Sequence, residues 1–401
     1  MSGNMERVLR LMAERGASDV YLAVNTPILI RIDGQIAQLS EQLVSVSQLR
    51  SLLAEVLKPA QLDELDRQRE LNTGVGLPGV GSFRISAFQQ RGTLAAVLRC
   101  IPGNIPLPEE LGLPQGLAEL VLAKRGLILM AGATGTGKST TLASMLEWRN
   151  QQMTGHILTI EDPIEFLFTN KRSIINQREV GRDTDSLHTA LRNALRQAPD
   201  CVLIGEIRDR ETMSAALSMS LSGHLVLATL HANNSTHALT RILSLYPHDA
   251  RAALLSDLSA ALKAIFSQRL LRAIAGGRVP AIEVLLNTKL VAEMIERGDF
   301  GGVQEAMESS IAAGSQTFEQ DLIRLVKAGL VSRDEAMEHS DSPANLMWQL
   351  SNQAEPADTG AGETQPSERI AQAPVFTEFA VEVREQAAEL PAIQRPPRTG
   401  A

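Results

Sequence analysis

The densest run of chemically capable residues is Gly132-Ala133-Thr134-Gly135-Thr136-Gly137-Lys138-Ser139-Thr140, which fits the pattern G-x-x-x-x-G-K-[ST]. Glycines at 132, 135 and 137 allow a backbone to curl until its N–H groups converge on an anion. A helix starting just after the loop adds its partial positive charge at the same point. Lys138 supplies a point charge for β- and γ-phosphates, and the Ser139 hydroxyl supplies a ligand for Mg²⁺. The apolar run GLILMA precedes the loop and the helical run STTLASMLEW follows it. That strand-to-helix context separates a phosphate-binding loop from a glycine-rich turn that matches by chance.

Splitting a bound triphosphate needs an acidic group near the metal and a means of orienting water. Val202, Leu203 and Ile204 run into Gly205-Glu206, so an apolar strand ends in a carboxylate suited to Mg²⁺ or to the attacking water. Ile157 to Ile160 likewise runs into Glu161-Asp162-Pro163-Ile164-Glu165. Which of these carboxylates positions the water is left open. A third apolar run is opened by His224 and closed by His231, and Thr229 and His231 stand where a γ-phosphate sensor would sit. Each has a plain alternative: a solvated carboxylate beyond a core strand, or a structural histidine.

These clusters need elements to hold them. Leu127–Ala131, Ile157–Ile160, Val202–Ile204 and Leu225–Leu230 are short continuous apolar runs, as expected of strands buried on both faces of a parallel sheet. Leu187, Ala190, Leu191, Ala194 and Leu195 form a helix face between two of them, with Thr184 or Asp185 as its cap. The alternation predicts an α/β core over 116–275. Upstream, residues 4–15 read as an amphipathic helix. Strand-like runs follow at Val20–Val24, Ile28–Ile32, Phe83–Phe88 and Leu94–Leu98, with a hairpin turn at Asp33-Gly34. Residues 1–100 are therefore expected to form a small α+β domain. The 101–115 stretch holds Pro102, Pro106, Pro108 and Pro114, a stiff linker and the expected boundary. Residues 276–350 read as short helices at Val291–Ile295, Val303–Ile311, Phe318–Lys327 and Asp334–Glu338. The last stretch, 351–401, carries eight acidic residues against four arginines and six of the 18 prolines, so disorder is expected there.

Composition narrows the chemistry. The chain has 401 residues and a formal net charge of −8. That acidity, with only 3% aromatic residues, argues against a dedicated nucleic-acid binder, which needs a basic surface and stacking platforms. Cys100 and Cys201 are too few for a disulfide scaffold or a four-cysteine zinc site. The charged N-terminus does not read as a signal peptide, and no run of 18 apolar residues suggests a membrane span.

The loop, Glu161 to Glu165, Gly205-Glu206 and His224 to His231 occur in the order of the Walker A, Asp box, Walker B and His box motifs of the secretion ATPase superfamily, which this chain resembles. Within it, the chain resembles the type IV pilus retraction ATPases, the PilT/PilU group, from about residue 5 to about residue 340. Gly16-Ala-Ser-Asp19-Val-Tyr, Ile30-Arg-Ile-Asp33-Gly34, Phe83-Arg84-Ile, Leu98-Arg99-Cys-Ile-Pro102 and Pro108-Glu-Glu-Leu-Gly112-Leu-Pro follow that group's pattern. The resemblance implies a homohexameric ring whose subunits join a PAS-like N-terminal domain to a RecA-like core, with ATP and Mg²⁺ between them. It implies that arginines from the N-terminal side enter the site: Arg84 and Arg99 occupy the motif positions, and Arg91 is a further candidate. Solvated strand charges are the alternative for these, and Arg208 could serve instead. It also implies a cytoplasmic location peripheral to the inner membrane, with a paralogous retraction ATPase and an inner-membrane pilus platform as partners. Neither nucleic-acid binding nor direct membrane insertion is expected.

Two departures refine the resemblance. The extension and type II secretion branches usually carry a four-cysteine zinc module, which this chain lacks. The retraction group's Ala-Ile-Arg-Asn-Leu-Ile-Arg-Glu motif is altered here to Leu290-Val-Ala-Glu-Met-Ile-Glu-Arg-Gly298. That points to the PilU-like accessory branch: an ATPase that drives or assists pilus retraction, or, alternatively, a nucleotide-gated scaffold that docks on a catalytic paralogue.

Overall fold

The computed structural model describes residues 3–352 apart from 33, 34, 102, 115, 311 and 313. The expected turn at Asp33-Gly34, Pro102 of the linker, Ile311 and nearly all of the expected tail (353–401) lie outside the described residues.

The first sheet is antiparallel and six-stranded. Its elements are α1 (Asn4–Glu14), β1 (Asp19–Ala23), β2 (Pro27–Ile32), β3 (Gln35–Leu43), α2 (Val46–Ala54), α3 (Pro59–Gln68), β4 (Glu70–Leu77), β5 (Gly81–Gln90) and β6 (Thr93–Ile101). The strand order is β3-β2-β1-β6-β5-β4. Alternate residues such as Val20, Leu22, Phe83, Ile85 and Leu98 pack with Met5, Leu9, Leu49 and Leu53 of the helices. The other face carries Tyr21, Arg84 and Arg99, because side chains alternate along a strand. Helix α2 begins at a capping box in which the Ser45 side chain takes the Gln48 N–H and Gln48 takes that of Ser45.

The second sheet has seven strands. It is built from α4 (Leu117–Leu120), β7 (Gly126–Ala131), α5 (Lys138–Gln152), β8 (Gly155–Glu161), β9 (Ser173–Glu179), α6 (Leu187–Ala194), β10 (Cys201–Ile204), α7 (Arg210–Leu221), β11 (Leu225–Leu230), α8 (Ser235–Ser244), α9 (Arg251–Ala261), β12 (Leu262–Arg272) and β13 (Arg278–Leu286). The order is β13-β12-β7-β11-β10-β8-β9, parallel throughout except where β13 returns against β12. This is a RecA-like core. Every residue of β7, β10 and β11 is buried. Leu127 and Leu129 enter one core with α6–α9, while Ile128 and Met130 enter the opposite core with α5. β7 lies between β12 and β11, so the chain leaving it sits at the switch point of the sheet, where ligands of such folds bind.

Beyond β13 come α10 (Lys289–Arg297), α11 (Phe300–Glu308), α12 (Phe318–Lys327), α13 (Arg333–Glu338) and α14 (Pro343–Asn352). α10 and α11 join the core of α6–α9, while α12–α14 pack around Leu271 and Ala281 of the β12–β13 hairpin. Two details differ from the sequence reading. The cap of α6 is neither Thr184 nor Asp185 but Ser186, whose Oγ accepts the Thr189 N–H at 3.1 Å, because the cap must immediately precede the first helical turn. The 278–286 segment is a strand where only helices were expected. Pro280 obscures it, yet proline is tolerated on β13 because that strand is the sheet's edge.

Phe266 is fully buried between β7 and the helices beside it. Phe266→Ala is expected to lower stability by about 3–5 kcal/mol, read from urea unfolding. Ile274→Ala, at a side chain 65% exposed, is expected to change it by less than about 0.5 kcal/mol.

Candidate nucleotide-binding site

Buried β7 ends at Ala131, and the chain must turn at once into α5. Gly132, Gly135 and Gly137 take φ of 155°, 81° and 84° in that turn. A Cβ at 132 would lie 2.5 Å from Thr136 Oγ1 and 2.8 Å from the Gln268 carbonyl oxygen. One at 137 would lie 2.8 Å from Gln268 Nε2. The loop therefore excludes side chains at these points by crowding as well as by torsion.

Lys138 opens α5 and is buried. Its ammonium donates to the Gly132 and Ala133 carbonyl oxygens, each at 2.8 Å, and an ammonium has three donors, so one remains for an anion in the loop. Burial lowers its pKa, while the carboxylates of Glu206 and Glu165 act to raise it. Thr136 Oγ1 donates to the Ala133 carbonyl at 2.9 Å. Gln268, on β12, closes the arrangement: its Nε2 donates to the Thr136 carbonyl and its Oε1 accepts from Thr141 Oγ1, both at 2.7 Å. Sequence reading missed Gln268, which lies 132 residues from Thr136 and belongs to no motif.

A cleft of about 800 Å³ opens over this loop. Its lining includes Thr134, Gly135, Gly137, Lys138, Ser139 and Thr140, and it also includes Glu161, Glu165, Glu206, Arg208 and His231. Parallel pairing brings these together, because β8, β10 and β11 end at the same edge as β7. Glu161 closes β8 with its side chain partly buried. Thr159 Oγ1 donates to it at 2.7 Å and Gln177 Nε2 at 3.3 Å. Burial still pushes its pKa above the ordinary value, against the pull of these bonds. Glu165 is exposed at the cleft's mouth.

Glu206 is held on both oxygens. Arg208 Nε donates to Oε2 at 2.8 Å, and His231 Nε2 lies 3.2 Å from Oε1. Thr229 Oγ1 donates to the Gly205 carbonyl at 2.5 Å, and the Ile207 N–H donates to the Thr229 carbonyl at 2.9 Å. The ends of β10 and β11 are thus clasped one against the other. The cleft has the parts a magnesium–nucleotide complex needs: a glycine-curved loop at a helix N-terminus, a lysine, the Ser139 hydroxyl and facing carboxylates.

Three expected residues fall elsewhere. His224 stands at the opposite end of β11, roughly 20 Å from His231 at about 3.3 Å per residue. Its Nδ1 faces the Met219 carbonyl at 3.1 Å, so within the chain it ties α7 to the start of β11 and does not reach the cleft. Arg84 and Arg99 pair in register on β5 and β6, and neither lines the cleft of its own chain. Arg99 Nε donates to buried Asp19 Oδ1 at 2.8 Å. Arg91 occupies the turn between those strands at φ 48°.

The strand order, the glycine turn and the acid-ended strands around Lys138 define a P-loop protein of the RecA type. The family described as "Type II/IV secretion system protein" matches residues 4–297, and the chain belongs to it. Over 342 residues it is 45% identical to the type IV pilus ATPase PilU of Pseudomonas aeruginosa, covering 85% of this chain and 90% of that protein. It is 37% identical over 343 residues to the type IV pilus retraction ATPase PilT of the same organism, covering 86% of this chain and 100% of that one. The crystal structure of the pilus retraction motor PilT with bound ADP matches with a TM-score of 0.81 at 40% identity, over 87% of this chain and 100% of that one.

Two outcomes follow from the geometry. Gln268→Ala removes both bonds that brace the loop, and nucleotide affinity is expected to fall roughly ten- to a hundredfold by calorimetry. Glu161 has a folded pKa raised above its ordinary 4.5. The charged form is thus penalised in the folded state, and stability is lost as pH rises through the folded pKa. Glu161→Gln is therefore expected to melt at a higher temperature than the parent near pH 7.5, and the difference is expected to vanish below about pH 4.5, in thermal scans across pH.

Proposed function

We propose that this chain is an ATP-hydrolysing motor subunit that assembles as a homohexamer and drives or assists type IV pilus retraction, in the accessory role of PilU. The observation that carries the hydrolytic part is the convergence of two acid-ended strands, β8 and β10, over Lys138 and Ser139. The relatives' identity as pilus ATPases supports the biological part, and the ADP bound by PilT supports the choice of nucleotide.

In this reading the loop's N–H groups and Lys138 hold the phosphates. Mg²⁺, when bound, would be held by Ser139 and Glu206 and would neutralise charge on the β- and γ-phosphates. Glu161 or Glu165 orients the water that attacks the γ-phosphorus, and His231 senses the γ-phosphate through its contact with Glu206. Arg84 and Arg99 lie away from their own chain's cleft, so they would act on a neighbouring subunit's nucleotide. Partners are other copies, a paralogous retraction ATPase and the inner-membrane pilus platform, which place the ring in the cytoplasm at that membrane. Among the described residues, no helix is long and apolar enough to cross a membrane.

One observation favours the second reading, a nucleotide-gated scaffold with little turnover of its own. Both oxygens of Glu206 are engaged by Arg208 and His231, which restrains the acid that hydrolysis would use.

Lys138→Ala is expected to abolish phosphate release while leaving the circular dichroism spectrum unchanged. Parent-like release in that variant would defeat the assignment of the site. Steady-state release by the purified parent alone separates motor from scaffold: turnover near 1 s⁻¹, on the order of typical enzyme values, supports the motor.

A further inference from the structure

β12 carries two neighbouring side chains that face opposite ways, as successive strand residues must. Gln268 braces the glycine loop. Arg269 turns to the other side. Its Nη2 donates to the Asn233 carbonyl at 3.3 Å and to Asp341 Oδ1 at 2.5 Å, and its Nη1 donates to the His339 carbonyl. The guanidinium lies over the Phe318 ring with its carbon 3.9 Å from the centroid. A planar fork with fixed donor directions holds these groups in one mutual arrangement, which a lysine could not do.

Both ends of that arrangement are themselves fixed. Asp341 Oδ2 accepts from Asn234 Nδ2 at 3.1 Å. Glu319 Oε1 takes the Ser340 hydroxyl and the N–H groups of Asp341 and Ser342 at 3.1, 3.1 and 3.2 Å, which shapes the 339–342 loop between α13 and α14. On the far side, buried Glu283 Oε1 accepts the Ser235 N–H at 2.6 Å. Asn233 and Asn234 follow His231 by two and three residues, and His231 is the residue that touches Glu206.

We propose that Arg269 is a positioning residue for the nucleotide site: it fastens the 231–235 segment to the 339–342 loop, so that the meeting of His231 with Glu206 depends on the packing of the C-terminal helices. The effect on turnover rests on the hydrolytic reading above; the effect on the segment does not. A shift of α12–α14 would pass through Arg269 to the acid at the end of β10, and nucleotide-driven movement of His231 would pass the other way.

The test compares the full-length parent with Arg269→Ala and Arg269→Lys by amide hydrogen exchange and by steady-state ATP hydrolysis. In Arg269→Ala, exchange across 231–238 is expected to rise about tenfold or more while 126–140 stays unchanged. Its kcat is expected to fall about tenfold with KM for ATP within about twofold of the parent. Arg269→Lys, which keeps the charge but not the fork, is expected to fall between the two. Unchanged exchange across 231–238 overturns the proposal. So does a joint loss of kcat, ATP affinity and melting temperature, which would mark general loosening. A parent without turnover sinks the hydrolytic reading instead, and the exchange comparison then decides the positioning claim alone.

Discussion

A loop that is to hold several phosphate charges must keep its amide N–H groups converged on one small volume. Converging dipoles repel one another, so the loop needs both unusual torsions and support from outside itself. Three glycines supply the torsions here. Gln268 supplies the support, bonding the Thr136 carbonyl on one side and the Thr141 hydroxyl on the other. Buried β7 and β12 make that support rigid, since they pair along Leu127–Ala131 and cannot slide without exposing both cores. The hydrophobic sheet is thus what makes the polar loop possible.

The same sheet sets the electrostatics. Parallel strands end together, and here the ends carry Lys138, Glu161, Glu206 and His231. Burial favours neutral Lys138 while Glu206 and Glu165 favour its charged form, so the ammonium's state is tied to the acids across the cleft. Glu161 and Glu206 differ in kind. Glu161 is sunk between Thr159 and Gln177 and holds its proton above the ordinary range. Glu206 is more open and is paired with Arg208. The two carboxylates are thus inequivalent: burial penalises the charged form of Glu161, while Arg208 pairs with the charge of Glu206.

Much of this was legible in the sequence where chemistry and pattern coincide. Continuous apolar runs marked β7, β8, β10 and β11, because strands covered on both faces have no polar side to show. The loop and the carboxylates at strand ends lie next to those runs, so their meeting around one cleft could be read from the sequence. Elements that lack such a signal were not legible. β3 is largely exposed and carries no alternation. β13 is broken by Pro280. Gln268 acts through a contact 132 residues away, which no local pattern reveals. His224 misled for the opposite reason: it shares a strand with His231, but the strand separates them by its full length.

Arg84 and Arg99 raise the remaining geometric question. They stand side by side on the face of the first sheet opposite its helices, at adjacent registered positions, where like charges repel unless something offsets them. Asp19 offsets one of them: its buried carboxylate holds Arg99 at 2.8 Å while leaving the side chain 64% exposed. A buried acid that steadies an exposed arginine orients a cation outward. It does not sequester it. Among the described residues of one chain, by contrast, Arg208 is the arginine lining the cleft, and it is already engaged with Glu206. On the ring reading, a neighbour's outward arginines would meet a cleft whose own arginine is engaged. Nucleotide chemistry in one subunit would then depend on the placement of the next, which a ring of separate active sites needs if it is to turn over in order.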